Sequence, residues 1–155
     1  MPWEQIFSFA NLFAMICWTL LAFAPKRETF VAPLFYAGVG LLSLSYALLI
    51  TGLLGGIIDG GTGGGGGSPD FTTLSGVQAI FDTQGGATIG WIHYLACDLF
   101  VGIWAARNAD VRGIGRIIQV PILLLIFMAG PLGSTLYLIL RQFVGTQREN
   151  ATVPS

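Results

Sequence analysis

One apolar stretch, Gly90-Trp91-Ile92-His93-Tyr94-Leu95-Ala96-Cys97-Asp98-Leu99-Phe100-Val101-Gly102, holds the chain's single histidine and an aspartate with no other charge beside it. Imidazole and carboxyl groups are the commonest general acids and bases, so this stretch is where proton chemistry would reside. At about 100° per residue, Asp98 shares a helical face with Trp91 and Tyr94, whereas His93 aligns with Cys97, Phe100 and Trp104. The two ionisable groups then lie about 140° apart around the helix axis. They flank one interior surface without pairing directly. His93 and Asp98 are therefore the candidate catalytic residues, and Trp91, Tyr94, Cys97 and Phe100 the candidate ligand-binding residues beside them. The plainer reading has each polar group bonded to Asn11, Ser43, Ser45, Thr135 or a backbone group of a neighbouring helix. A metal site needs three or more ligands, so one His plus one Asp predicts no metal. The spacings spell no Ser-His-Asp or Cys-His nucleophilic arrangement either.

What must position these groups follows from composition. Charged residues make up 10% of the 155, and hydrophobic ones 54%. A soluble protein carries about 25% charged residues, and a globule this small could not cover so apolar a chain with polar surface. The solvent must be a lipid bilayer. A net charge of −1 provides no basic field, which argues against nucleic acid as a partner. Cys17 and Cys97, both in apolar stretches, form neither a disulfide framework nor a metal pair.

A spanning helix needs about 20 apolar residues. Charge-free or nearly charge-free runs predict four, at about residues 5–25, 31–55, 88–106 and 117–140. The fold class expected is all-α, an integral membrane four-helix bundle forming a single transmembrane domain over 1–155. The first run is a retained helix and no signal peptide, because Glu4 precedes it and Pro25-Lys26-Arg27 follows. Cytoplasmic loops hold the excess of Lys and Arg. Lys26 and Arg27, with Arg107, Arg112 and Arg116, fall in loops 26–30 and 107–116, which predicts those loops in the cytoplasm and both termini outside, in a bacterial inner membrane. Arg107, Asp110 and Arg141 read as anchors at the membrane surface.

The long outer loop has two parts. Residues 59–72 are Gly-rich and predict a flexible connector, with neither the Gly-Lys-Ser/Thr nor the preceding strand of a phosphate-binding loop. Over 73–83, Leu74, Val77, Ile80 and Phe81 recur at helical spacing and suggest a short interfacial helix. In the fourth run, Pro121 falls near the first turn, and Gly130-Pro131 at membrane depth predicts a kink. That kink either serves packing or widens the interior around a ligand, which adds Gly130 and Pro131 to the candidate ligand-binding residues. Trp3, Trp18, Trp91 and Trp104 stand near predicted span ends, as interfacial belts do. An aromatic cleft for a long conjugated chain would use the same residues.

The stretch Gly90–Ala96 followed by Asp98–Gly102 resembles the signature of the abscisic-acid-deficient-4-like membrane proteins, a family that includes plant neoxanthin synthase. Three further features are similar to that family: Phe7-Ser8-Phe9-Ala10-Asn11 with Trp18 and Pro25, Ser75-Gly76-Val77 with Phe81, and Pro121 followed by Leu123–Leu125, Gly130–Gly133 and Leu136–Leu138 to Arg141. Cys97, Ile103 and Ile126 depart from the pattern. The resemblance implies a carotenoid or related isoprenoid as ligand. It also implies an epoxide-to-allene isomerisation, with an acid at the epoxide oxygen and a base at the adjacent polyene carbon. Three functions follow as expectations. The first is a carotenoid-linked, pigment- or lipid-binding accessory subunit of a larger membrane complex, such as a photosynthetic reaction-centre or antenna assembly. The second is a carotenoid-modifying isomerase with His93 and Asp98 as acid and base. The third is a small proton-coupled transporter using Asp98. Partners expected are the lipid bilayer and the subunits of such a complex.

Overall fold

The computed structural model describes residues 2–24, 27–62 and 70–144, and the backbone alone for residues 27 and 28. The centre of the predicted Gly-rich connector, residues 63–69, lies outside that set, as do Lys26 and Arg148. The described residues form helices and no strands: α1 (Trp3–Phe23), α2 (Arg27–Pro33), a π-helical stretch (Leu34–Val39), α3 (Gly40–Leu54), α4 (Leu74–Phe81), α5 (Gln84–Val111), α6 (Arg116–Met128) and α7 (Gly130–Phe143). Three helical stretches are long and apolar enough to cross a membrane, Trp3–Phe23, Thr29–Leu54 and Gln84–Val111.

The central element is α5. Of its most apolar window 56% is buried inside the chain, against 28% for α1 and 17% for Thr29–Leu54. Small residues let the other helices close on it. Gly102 leaves room for the Trp18 ring, and a Cβ at Gly38 would come within 3.1 Å of Leu99 and 3.2 Å of the Cys17 sulfur. Gly38 lies in the π-helical stretch, whose N-cap is Pro33. A proline ring inside a helix clashes with the carbonyl four residues back, and widening the turn relieves that crowding. Threonines start the next two helices: the Thr73 hydroxyl accepts from the Gly76 amide and the Thr83 hydroxyl from the Gly86 amide.

The two ends of the molecule are tied separately. At one end the Trp3 indole N–H donates to the Asp59 carbonyl at 3.1 Å, and the Gly85 amide donates to the Gly60 carbonyl at 2.7 Å. At the other end Arg116 Nη1 donates to the Ala24 carbonyl at 2.7 Å, closing α1 against the start of α6. Glu4, Asp59, Asp70 and Asp82 belong to the first end and Arg107, Arg112 and Arg116 to the second.

The single fourth span predicted over 117–140 is replaced by two helices. Ala129, at φ −151° and ψ 71°, ends α6 and caps α7, so Pro131 opens a helix where a kink within one was expected. The chain then reverses. A Cβ built on Gly133 would run into the backbone of Ile126, seven residues earlier, a separation of about 10 Å along a continuous helix. Tyr137 of α7 lies beside Gln119 and Ile122 of α6 around one small cavity. Arg112 Nη1 donates to the Val144 carbonyl at 2.7 Å and the Arg141 carbonyl at 3.2 Å. The hairpin α6–α7 thus rises from the arginine-bearing end to the middle of α5 and returns. With 13 and 14 residues, each arm is about 20 Å long, too short to cross a bilayer core of about 30 Å. Where four spans were expected, three helical stretches are long and apolar enough to cross a membrane, and residues 116–143 form two shorter helices packed on each other. Val144, the last described residue, lies at the opposite end of the molecule from Trp3. The physical reason is that a break at Ala129 and a missing Cβ at Gly133 allow two short arms to pack on each other. Pro121 is the sixth residue of α6 and not near its first turn.

Candidate functional site

The tip of the hairpin delivers Gly130 to Asp98, at the middle of α5. Asp98 is 7% exposed, and its Oδ2 is buried without a hydrogen-bond partner. Any Cβ on Gly130 would collide with Asp98 Oδ1, so glycine permits this approach. Tyr94 stands one turn before Asp98 with its hydroxyl toward the carboxylate, and the Gly130 amide donates to the Tyr94 oxygen at 3.4 Å. The amide is one of those that a helix N-terminus leaves without an intrahelical partner. The hairpin break thereby supplies a donor to the phenol.

Above the tip, toward the acidic end, α1 and α5 face the membrane with no hairpin over them. The Trp91 ring stacks on Tyr94 with centroids 5.5 Å apart and planes at 20°, and meets Phe7 at 6.0 Å. Its indole N–H donates to Asn11 Oδ1 at 2.9 Å, while the Asn11 amide nitrogen donates to the Phe7 carbonyl at 2.9 Å. Phe7 and Trp91 are each 40% exposed. Near the end of the two helices an open recess of about 410 Å³ is lined by Trp3, Glu4, Phe7, Ser8, Gln84 and Thr88. The polar rim of this recess is Glu4, Ser8 and Gln84, and the row of Phe7, Trp91 and Tyr94 rings lies between it and Asp98. Gln84 to Asp98 spans about 21 Å along α5.

Of the predicted site residues, Asp98, Trp91, Tyr94 and Gly130 come together here. His93 does not. It projects from the other side of α5, exposed, with its ring 4.9 Å from that of Tyr46 and Nε2 3.6 Å from the Cys97 sulfur. The expectation that His93 and Asp98 flank one interior surface is corrected: the 140° between them puts one against the hairpin and the other outside. Cys97 and Phe100 share the exposed side of His93, and Phe100 meets Phe35 at 5.9 Å. Pro131 is exposed at the tip. Among the anchors, Arg107 is exposed, Asp110 accepts from Gln119 Nε2 at 2.8 Å, and the Arg141 guanidinium lies 5.6 Å from the Trp104 ring centroid. Ser43 and Ser45 take no part in the site, and Thr135 donates back to the Pro131 carbonyl at 2.8 Å. Phe7 and Asn11 were not read as site residues. Their signal was an amide in an otherwise apolar span, with an aromatic one turn away on the same face. Among the described residues no group of three His, Cys, Asp or Glu could hold a metal ion.

Residues 5–137 match the family model described as ABA4-like, ABA DEFICIENT 4-like. No curated protein matches the chain, and no solved structure does.

Proposed function

Because this chain belongs to the ABA DEFICIENT 4-like family, a family of carotenoid-related membrane proteins, we propose that it binds a carotenoid along the Phe7, Trp91 and Tyr94 rings of α1 and α5 and isomerises its oxygenated end at Asp98 and Tyr94. The observation that carries this reading is the buried Asp98 Oδ2, without a hydrogen-bond partner, beside Tyr94 and the tip of the hairpin. In an epoxide-to-allene isomerisation, Tyr94 gives its proton to the epoxide oxygen as a C–O bond breaks. Asp98 removes the proton from the adjacent polyene carbon, and the C–H electrons become the new double bond. Asp98 then returns a proton to the Tyr94 oxygen, one turn away. One proton enters the ligand and one leaves, and no oxidant is consumed. Gly130 positions the phenol, and Trp91 and Phe7 exclude water from the polyene.

The test is production of the full chain in a bacterial host that accumulates epoxidised carotenoids, with pigments resolved by chromatography. Asp98→Asn and Tyr94→Phe should each lower conversion by about a hundred-fold or more while protein persists in the membrane. Conversion at the unsubstituted rate in Asp98→Asn would rule the reading out.

A second reading, a pigment-binding subunit of a larger photosynthetic or related assembly, is favoured by His93. Its ring meets Tyr46 and is otherwise exposed, and an ionisable group on a membrane-spanning helix calls for a polar neighbour. Stable copurification with other chains in mild detergent, lost in His93→Leu, supports it; a lone particle counts against it. Under either reading the arginine-bearing end faces the cytoplasm, on the positive-inside rule, in a bacterial inner membrane.

A further inference from the structure

Toward the arginine-bearing end, α5 presents Phe100, Trp104, Arg107 and Val111 to the membrane, all exposed. A groove of about 330 Å³ follows this stripe and is walled on one side by Phe35. On the other side α7 places the Arg141 guanidinium 5.6 Å from the Trp104 ring centroid. From Phe100 to Val111 is about 16 Å along the helix, the depth of one leaflet of a bilayer core of about 30 Å. The groove is polar at its outer rim alone. There Arg107 is exposed, and no described residue bonds it. Asn108 uses its carbonyl oxygen to accept from Arg112 Nε at 3.1 Å and from the Tyr137 hydroxyl at 2.7 Å, which leaves its amide nitrogen to donate. The acid nearby, Asp110, lines an adjoining recess with Val31 and Tyr36, which shares Phe35, Arg107 and Val111 with the groove. The groove's own described lining thus holds donors and no acid, above an apolar channel one acyl chain long.

We propose that this groove holds one anionic phospholipid of the leaflet at the arginine-bearing end. Its phosphodiester sits against Arg107, the Asn108 amide and Arg141, and an acyl chain lies along Phe100 and Trp104. The assignment is independent of the proposed carotenoid site, which lies toward the other end of α5.

Quenching by brominated lipids tests it on the reconstituted full chain. Trp104 is isolated by subtracting the signal of Trp104→Phe. Dibromo-phosphatidylglycerol should quench Trp104 at a lower mole fraction than dibromo-phosphatidylcholine. Arg107→Gln should weaken that preference about five-fold, and Arg107→Lys should keep most of it. Equal quenching by the two lipids, or a preference undiminished in Arg107→Gln, overturns the proposal. So does reversal of the quenching by water-soluble glycerophosphoglycerol, which would make the rim a site for free phosphodiesters and not for a lipid.

Discussion

Gly133 rests directly on the backbone of Ile126, and the missing Cβ is what allows α7 to double back along α6. From that contact follow the position of Gly130 at Asp98 and the end of the molecule at which α7 finishes.

The topology can be read with reporters. A fluorescent protein or phosphatase fused after the last residue should report the same side as one inserted between α5 and α6, and the opposite side from one ahead of Trp3. With Arg107, Arg112, Arg116 and Arg141 gathered there, that side should be the cytoplasm. A carboxy-terminal phosphatase active in the periplasm would restore the four-span topology.

Gly133→Ala should destabilise the chain by about 1–3 kcal/mol, because the added methyl must displace backbone, which cannot yield as a side chain can. Gly115→Ala is the control, since a Cβ there meets nothing within 4 Å, and its cost should stay within about 0.5 kcal/mol. Thermal unfolding in detergent followed by circular dichroism measures both. Equal midpoints for the two variants would mean the hairpin contact is loose.

Tyr94 and His93 separate the two sides of α5. In the pigment-conversion assay His93→Ala should retain at least about half of the activity, whereas Tyr94→Phe falls with Asp98→Asn by about a hundred-fold or more. The reverse ranking would move the chemistry to the Tyr46 side of α5.

Outside the spans, Asp70 provides a pH signature. The Thr72 amide and hydroxyl, then the Thr73 hydroxyl, donate to its carboxylate and hold it below the usual carboxylate range. A group lowered in this way stabilises the fold fully above its unfolded value of about 3.9, and the contribution disappears as pH falls through the lower folded value. Amide exchange at Gly76 and Val77 should therefore quicken below about pH 4 in the natural chain. In Asp70→Asn it should already be fast at neutral pH and change little with acid. Identical profiles would detach Asp70 from the start of α4.

Much was legible in the residues alone. Spans of helical length, a bilayer as solvent, the Trp91-Tyr94-Asp98 face and the family likeness all rest on local facts: charge-free runs and a fixed 100° step per residue. The sequence even placed His93 and Asp98 at the right angle to each other. It could not say which side of α5 would be covered, because that depends on what packs there, and the covering element is the hairpin. Gly130-Pro131 read equally well as a kink or a break. A kink preserves direction and a break permits reversal, and the choice is made by a long-range contact, Gly133 on Ile126 with Arg112 fastening Val144. Local pattern determined the helices, the membrane and the candidate acid. Tertiary packing alone decided that the fourth apolar run turns back at the middle of α5, that Asp98 is buried at its tip, and that His93 lies on the other side of α5, against Tyr46.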